Sequence, residues 1–227
     1  PYYGFKDDLA ERHGLQFGID YTALYQKLSD SLGEDHAASG IFRVYGSWDV
    51  PGRESGNTGS VVWRFESRHR LGTEVANQFL GFEAGYNGLV AAQFSDFGWG
   101  VTNLYWKQRF AQGQFNLAAG KVDVTDYFDV FGMTNPRTSF LNFDFLYPTV
   151  PTPDQGLGIA GSAWINDHLY VIAGLADANG FPTVTGFDSF FNTREYFTHL
   201  EFGWSSAQDR FIFDNIHVTA WHVDERV

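Results

Sequence analysis

Beyond Gly14 the apolar residues recur at every second position, which is the period of a strand and not of a helix. In residues 15–26 (LQFGIDYTALYQ), Leu15, Phe17, Ile19, Tyr21, Ala23 and Tyr25 fall on one face. Gln16, Gly18, Asp20, Thr22 and Gln26 fall on the other, with Leu24 as the exception. Residues 59–70 repeat the pattern, with Val61, Trp63 and Phe65 opposing Arg64, Glu66, Arg68 and Arg70. In 100–110, Leu104, Trp106 and Phe110 oppose Asn103, Lys107 and Arg109; in 198–204, Leu200, Phe202 and Trp204 oppose His199 and Glu201. Extended along the chain, the alternation predicts strands at 15–26, 39–50, 59–70, 100–110, 113–124, 157–166, 168–177, 196–205 and 213–223. Residues 5–13 read as a short helix, capped by Asp7 and stopped at Gly14.

The connections between these strands alternate in length. Residues 27–38, 71–99, 125–156 and 178–195 are long, whereas 51–58, 111–112, 167 and 206–212 are short. An up-and-down barrel in an outer membrane has short periplasmic turns and long outer loops. A soluble Greek-key sandwich has no reason to sort its loops in this way. The predicted fold is therefore all-β: an up-and-down antiparallel transmembrane β-barrel with a short N-terminal helix. Residues 1–14 form the periplasmic segment and residues 15–227 a portion of the barrel.

Composition agrees with that picture and narrows the function. Aromatic residues make up 18%, with 25 glycines and no cysteine, a mix suited to strands and turns held by a hydrogen-bonded sheet. No run of apolar residues is long enough for a transmembrane helix, and a barrel needs none, because only alternate residues face lipid. The net charge of −12 argues against a general nucleic-acid binder. No GxSxG, P-loop or GxGxxG pattern is present, and no histidine spacing marks a metal site. No cofactor is expected, with calcium in the acidic outer loop at 177–180 as a weak alternative.

Several segments together resemble the carbohydrate-selective porin family (OprB-type): WRFESRHRL (63–71), LYWKQRF (104–110), AAGKVDVTDYFD (118–129), TPDQGLG (152–158), GLADANG (174–180), THLEFGW (198–204) and TAWHVDE (219–225). The resemblance implies a barrel of about sixteen strands. It also implies facilitated diffusion of sugars, especially monosaccharides, and long outer loops folded inward to narrow the pore. Nine strands are an odd number for a bacterial barrel, so the sequence is expected to be the N-terminal portion of a larger one, unless a strand lies unrecognised within 79–94.

A sugar pore needs weak, repeated contacts and no reaction. Charges cannot face lipid cheaply, so Arg43, Arg64, Glu66, Arg68, Arg70 and Lys107 are expected on the lumen wall. Arginine forks suit several hydroxyls at once; the plain alternative is that Arg and Glu merely pair with each other. Lys121 and Asp123 are expected to share that face, with Asp126 and Phe128 following where the chain leaves the sheet. For Asp126 a self-capping turn is the alternative. The loop 125–156 carries Tyr127, Phe128, Phe131, Phe140, Phe143, Phe145 and Tyr147, and is expected to fold into the lumen or against neighbouring loops. The rings opposite the charges (Trp63, Phe65, Trp106, Phe110, Phe202, Trp204) are expected to face lipid or the interface.

The expected partners are transported mono- or oligosaccharides, outer-membrane lipid and lipopolysaccharide, with a monomer or trimer equally open, in the bacterial outer membrane. Two other classes compete. A barrel enzyme of lipase or protease type would need a Ser–His pair; Ser205, Ser206 and His199 are close in sequence but do not share a suitable face. A soluble sugar-binding β-sandwich would stay monodisperse without detergent.

Overall fold

The computed structural model describes residues 2–50, 55–133, 135, 139–146 and 150–225. Tyr147, Pro136 and Pro148 of the long predicted loop, and residues 51–54 of the first short turn, lie outside the described residues.

Helix α1 (Tyr2–His13) ends where Gly14 adopts a φ of +69°, its N–H donating to Ala10 O at 3.0 Å. That left-handed stop is the one foreseen, because glycine carries no Cβ to oppose it. The helix starts earlier than predicted, so Asp7 lies inside it and is no cap.

Nine strands follow: β1 (Leu15–Lys27), β2 (His36–Asp49), β3 (Gly59–Arg70), β4 (Gly98–Phe110), β5 (Phe115–Val122), β6 (Gly156–Trp164), β7 (Leu169–Asp177), β8 (Tyr196–Ser205) and β9 (Asn215–Val223). They form one antiparallel sheet in the order of the sequence, every strand pairing with the next. Among the described residues β1 and β9 do not pair, so the sheet is not closed. The stretch 79–94 contributes no strand; it holds the short helix α2 (Leu80–Glu83) and a single bridge, Val90 to Asn142.

Register preserves the two faces across the sheet. Asp20 stands opposite Arg43, and Arg43 opposite Glu66. Gly174 pairs with His199 and Ile172 with Glu201 on the same side farther round. A register shift lies between Arg64 and Phe65 on β3, where Arg64 pairs with Asn103 but Phe65 with Val101. The extra residue, Thr102, resets the parity of β4. Without that bulge, Trp99 and Val101 could not share the outer face with Leu104 and Trp106.

The outer face is broadly apolar and uncovered. Ile19, Tyr21, Tyr25, Phe110, Leu200, Phe202, Ile216 and Val218 are all exposed, the last two at 75%. Side chains of this kind turned away from the polar face are what a lipid-facing wall requires. The described helices are too short or too polar to cross a membrane; a barrel crosses with strands.

The buried apolar groups lie on the inner side, beneath the long loops. One cluster joins Ile41 to Ala91 and Phe94, with Leu24, Val90 and Leu141 packed against it. It explains why Leu24 breaks the alternation of β1: it sits under a loop and not against water. The second cluster joins Val124 and Phe128 to Ala176 and Phe197, flanked by Tyr127, Val150 and Val223.

Candidate functional site

The inner face of β2 and β3 carries a row of arginines, and Arg43, Arg64, Arg68 and Arg70 each meet a carboxylate. Arg43 grips Asp20 with two parallel bonds, Nε to Oδ1 at 3.0 Å and Nη2 to Oδ2 at 2.7 Å. Its guanidinium also lies 5.3 Å from the centre of the Tyr45 ring. Arg68 bonds Glu66 Oε2 and stacks 4.9 Å over Phe97. Arg70, nearest the outer end, reaches Asp96 at 2.6 Å and the Glu74 carbonyl.

Arg64 is the centre of this network. Its Nε donates to Thr102 Oγ1 at 2.9 Å, so the bulge that resets β4 also aims the guanidinium. Nη2 lies 3.1 Å from Asp123 Oδ2 and 3.3 Å from Asp126 Oδ2, and Nε lies 3.7 Å from Glu66 Oε1. Asp123 also accepts from Gln155 Nε2 at 2.8 Å, and Asp126 from Asn103 Nδ2 at 2.9 Å. Asp123 is a cap as well, its Oδ1 accepting from Thr125 N at 3.1 Å. Loss of water and the nearby Asp123 charge hold the Asp126 carboxyl above the usual carboxylate range, although Arg64 and Asn103 oppose them. Burial and the same two aspartates raise the neighbouring Tyr127 phenol.

Two cavities flank the Arg64–Asp126 contact. One of about 450 Å³ is lined by Tyr105, Lys107, Asn116 and Trp164; one of about 750 Å³ by Lys6, Gln16, Arg43 and Tyr45. Asn103, Tyr105 and Asp126 border both. Polar side chains and ring faces thus stand together along the inner wall, a lining that can exchange hydrogen bonds with hydroxyl groups.

The outer loops descend onto this wall. The segment from Tyr127 to Gly132 runs down the inner side of β8 and β9. Phe128, only 1% exposed, packs 4.6 Å from the His199 ring and edge-on to Phe197. Asp129 adopts a left-handed φ of +57° and donates its N–H to Glu201 Oε2. Val130 O accepts from Asn215 Nδ2 at 2.9 Å, and Gly132 lies against Phe213 of the turn before β9. Its aromatic side chains therefore anchor the loop inside the sheet's concavity. The loop between β3 and β4 joins it through Ala91 N to Leu141 O and Phe143 N to Leu89 O.

The structure places Lys121 and Phe128 differently from the sequence expectation. Lys121 pairs across the sheet with outward-facing Leu104, and its ammonium donates to the carbonyls of Phe181, Pro182 and Val184. It clamps a loop and turns away from the inner cavities. Lys121 and Asp123 do not share a face, because parity holds only within a strand and β5 ends at Val122. Gly120, at φ +138°, bends the strand just before that end; a Cβ there would meet Leu104 O at 2.6 Å. Phe128 is an anchor beneath the loop and presents little surface. Arg64, Glu66, Arg68, Asp123 and Asp126 share one network, Arg43 and Arg70 stand beside it in pairs with Asp20 and Asp96, and Lys107 borders the smaller cavity.

Residues 5–222 match the profile of the carbohydrate-selective porin, OprB family. The chain belongs to that family. Among solved structures, the high-pH structure of Pseudomonas putida OprB aligns with a TM-score of 0.68 at 17% identity. The alignment covers 92% of this chain and 52% of that one, so the chain spans about half the length of the porin it matches. A likeness at this identity supports the fold, an up-and-down barrel wall. Comparison with the curated proteins found no match.

Within this porin wall, sequence reasoning passed over Asp20, Tyr45, Asp96, Asn103, Tyr105 and Gln155. Asp20 was on the polar face but had no marked partner; its register position opposite Arg43 supplies one. Asp96 and Gln155 sit in loops, where no periodicity reports facing. The serines noted beside His199 are engaged elsewhere: Ser205 Oγ donates to Ala207 O, and Ser206 Oγ to Asp214. His199 itself is ringed by Tyr127, Phe128 and Phe197. At 177–180, Asp177 accepts from Asn179 N and Ser189 Oγ, which makes it a turn residue.

Proposed function

We propose that this chain forms part of the wall of an outer-membrane pore that conducts sugars, glucose-like monosaccharides among them, by passive facilitated diffusion. The observation that carries this reading is the arginine–carboxylate network of the inner face. Arg43, Arg64, Arg68 and Arg70 are each matched by Asp20, Asp123, Asp126, Glu66 or Asp96. Where arginines and carboxylates neutralise each other, the wall exerts little net pull on an ion. It still presents forks of donors and acceptor oxygens at close spacing, which suits a neutral solute rich in hydroxyl groups. Contacts of this kind are individually weak and exchange readily, as passage requires.

On this reading α1 lies on the periplasmic side, the outer apolar face meets lipid and lipopolysaccharide, and the descending loops narrow the path. Family membership supports the sugar class, and the network supports the neutral-solute mechanism. The test is solute flux into vesicles carrying the purified protein. Glucose uptake should exceed that of a similarly sized charged solute, and Arg64→Ala should alter it. Equal flux of both solutes, unchanged in the variant, would refute the proposal.

A further inference from the structure

Where the descending loop meets β8 and β9, Asp129, Glu201 and His217 bring two carboxylate oxygens and an imidazole nitrogen together, all within 4.8 Å of one another. Glu201 is fully buried, Asp129 is 6% exposed, and the His217 side chain is 14% exposed. None of the three takes part in the arginine network described above.

The hydrogen bonds around His217 decide which of its nitrogens carries a proton. Asn215 Nδ2 donates to two carbonyls, Val130 O at 2.9 Å and Phe211 O at 2.6 Å. The amide is thereby oriented, and the atom it turns toward His217 Nδ1, at 3.0 Å, is its oxygen. An amide oxygen only accepts, so Nδ1 is the donor. In the neutral ring Nε2 is then a bare lone pair, yet it stands 2.8 Å from Asp129 Oδ1, a second acceptor. Two acceptors at that distance need a proton or a metal ion shared between them.

A proton on Nε2 meets that need but leaves one imidazolium beside two sequestered carboxylates, an excess of one negative charge. A divalent ion held by a neutral imidazole and two carboxylates leaves none. The surroundings suit the second arrangement. Ligating histidines commonly donate their other N–H to a carbonyl oxygen, which is the role Asn215 plays. Glu201 is held by Tyr170 OH on Oε1 at 2.8 Å and by Asp129 N–H on Oε2 at 2.7 Å, and each oxygen keeps a further lone pair.

We propose that Asp129, Glu201 and His217 bind a divalent transition-metal ion of the zinc class, with water completing the shell. The imidazole favours such an ion over magnesium or calcium, which prefer all-oxygen sites. Ligands about 2.1 Å from a common ion stand roughly 3.4 Å apart, so the 2.8 Å His217–Asp129 pair would open slightly and the wider separations, all within 4.8 Å, would close by about an ångström. Because the ligands come from the loop, β8 and β9, the ion would staple the loop to the wall. The proposal concerns loop fixation and does not depend on which solute passes.

The test is titration of the detergent-purified, chelator-stripped protein, carrying no histidine tag, with Zn²⁺ followed by calorimetry and with Co²⁺ followed by its visible absorption. One ion should bind per chain at micromolar concentration or below, with Co²⁺ bands characteristic of a four- or five-coordinate nitrogen–oxygen site. His217→Gln and Glu201→Gln should each weaken binding at least about tenfold, and Asn215→Ala should do so through the imidazole orientation. Heat-modifiable gel mobility would confirm that each variant is folded. No saturable uptake by the unaltered protein overturns the proposal and leaves the imidazolium–carboxylate contact in its place. Uptake undiminished in folded His217→Gln and Glu201→Gln proteins overturns it as well, by locating the ion elsewhere.

Discussion

Arg64 and Asp123, 59 residues apart in the chain, are joined at 3.1 Å on the inner face of the sheet. The contact ties a strand residue to the point where the next outer loop begins, and it couples the wall to that loop. Deleting the arginine leaves Asp123, Asp126 and Glu66 without their shared cation. Arg64→Ala should therefore raise the cation preference of the pore in reversal-potential measurements. It should also change glucose flux, and lower stability by roughly 1–3 kcal/mol for carboxylates left partly unpaired. Unaltered selectivity would mean that the ion path does not run past this cluster.

Asp126 supplies a pH dependence. Its carboxyl is held above the usual range, so it takes up a proton at a higher pH than an ordinary carboxylate as the solution is acidified. The negative charge facing Arg64 is then present at the high end and lost first on acidification. Cation preference should fall with decreasing pH, and Asp126→Asn should flatten that early part of the curve. A profile identical in the variant would assign the titration to another group.

Phe128 holds the descending loop against Phe197 and His199. Phe128→Ala removes a ring that is 1% exposed, and truncations of that kind cost roughly 3–5 kcal/mol. The loss should fall on the loop and spare the sheet, whose hydrogen bonds are intact. Single-channel recordings should show larger and noisier conductance, with the unfolding midpoint of the barrel little changed. A quiet channel of ordinary conductance would show that the loop is held by other contacts.

Lys121 fastens the 181–184 turn with three carbonyl bonds. Lys121→Met keeps the length of the side chain and removes the donors. Hydrogen exchange in the 178–195 loop should accelerate, and the loop should become a site of limited proteolysis from the outer side. Protection equal to that of the parent protein would place the fastening elsewhere in the loop.

Leu200 tests the outer face. It lies midway along β8, 49% exposed and opposite in parity to His199 and Glu201. An arginine there should cost roughly 2–4 kcal/mol when the protein is unfolded from bilayers, if the residue meets the hydrocarbon. A substitution without cost would move this part of β8 away from lipid.

The strands, their order along the chain and the identity of the polar face were legible because a period of two reports facing directly. WRFESRHR shows its charged side without any knowledge of neighbouring strands. The long and short connections were legible for a similar reason, since they are read by counting. Leu24 and Lys121 mark where this reading stops. Leu24 looked like an error in the pattern until the loop above it was in place. Lys121 looked inward because its facing was read together with Asp123, beyond the end of β5 at Val122; within the strand it keeps the parity of Phe115 and Leu117.

By itself, then, the sequence determined the sheet, its two faces and the residue types on the polar face, because those properties arise from local alternation within each strand. Only the tertiary structure decided which charges meet. Thr102 as a bulge, Asp123 as the partner of Arg64, and Asp129 lying 2.8 Å from His217, 88 residues away, depend on register between strands and on loops returning to the wall. Loop residues have no periodicity to report their direction, and their positions are set by whichever distant side chains satisfy their charges, hydrogen bonds and rings.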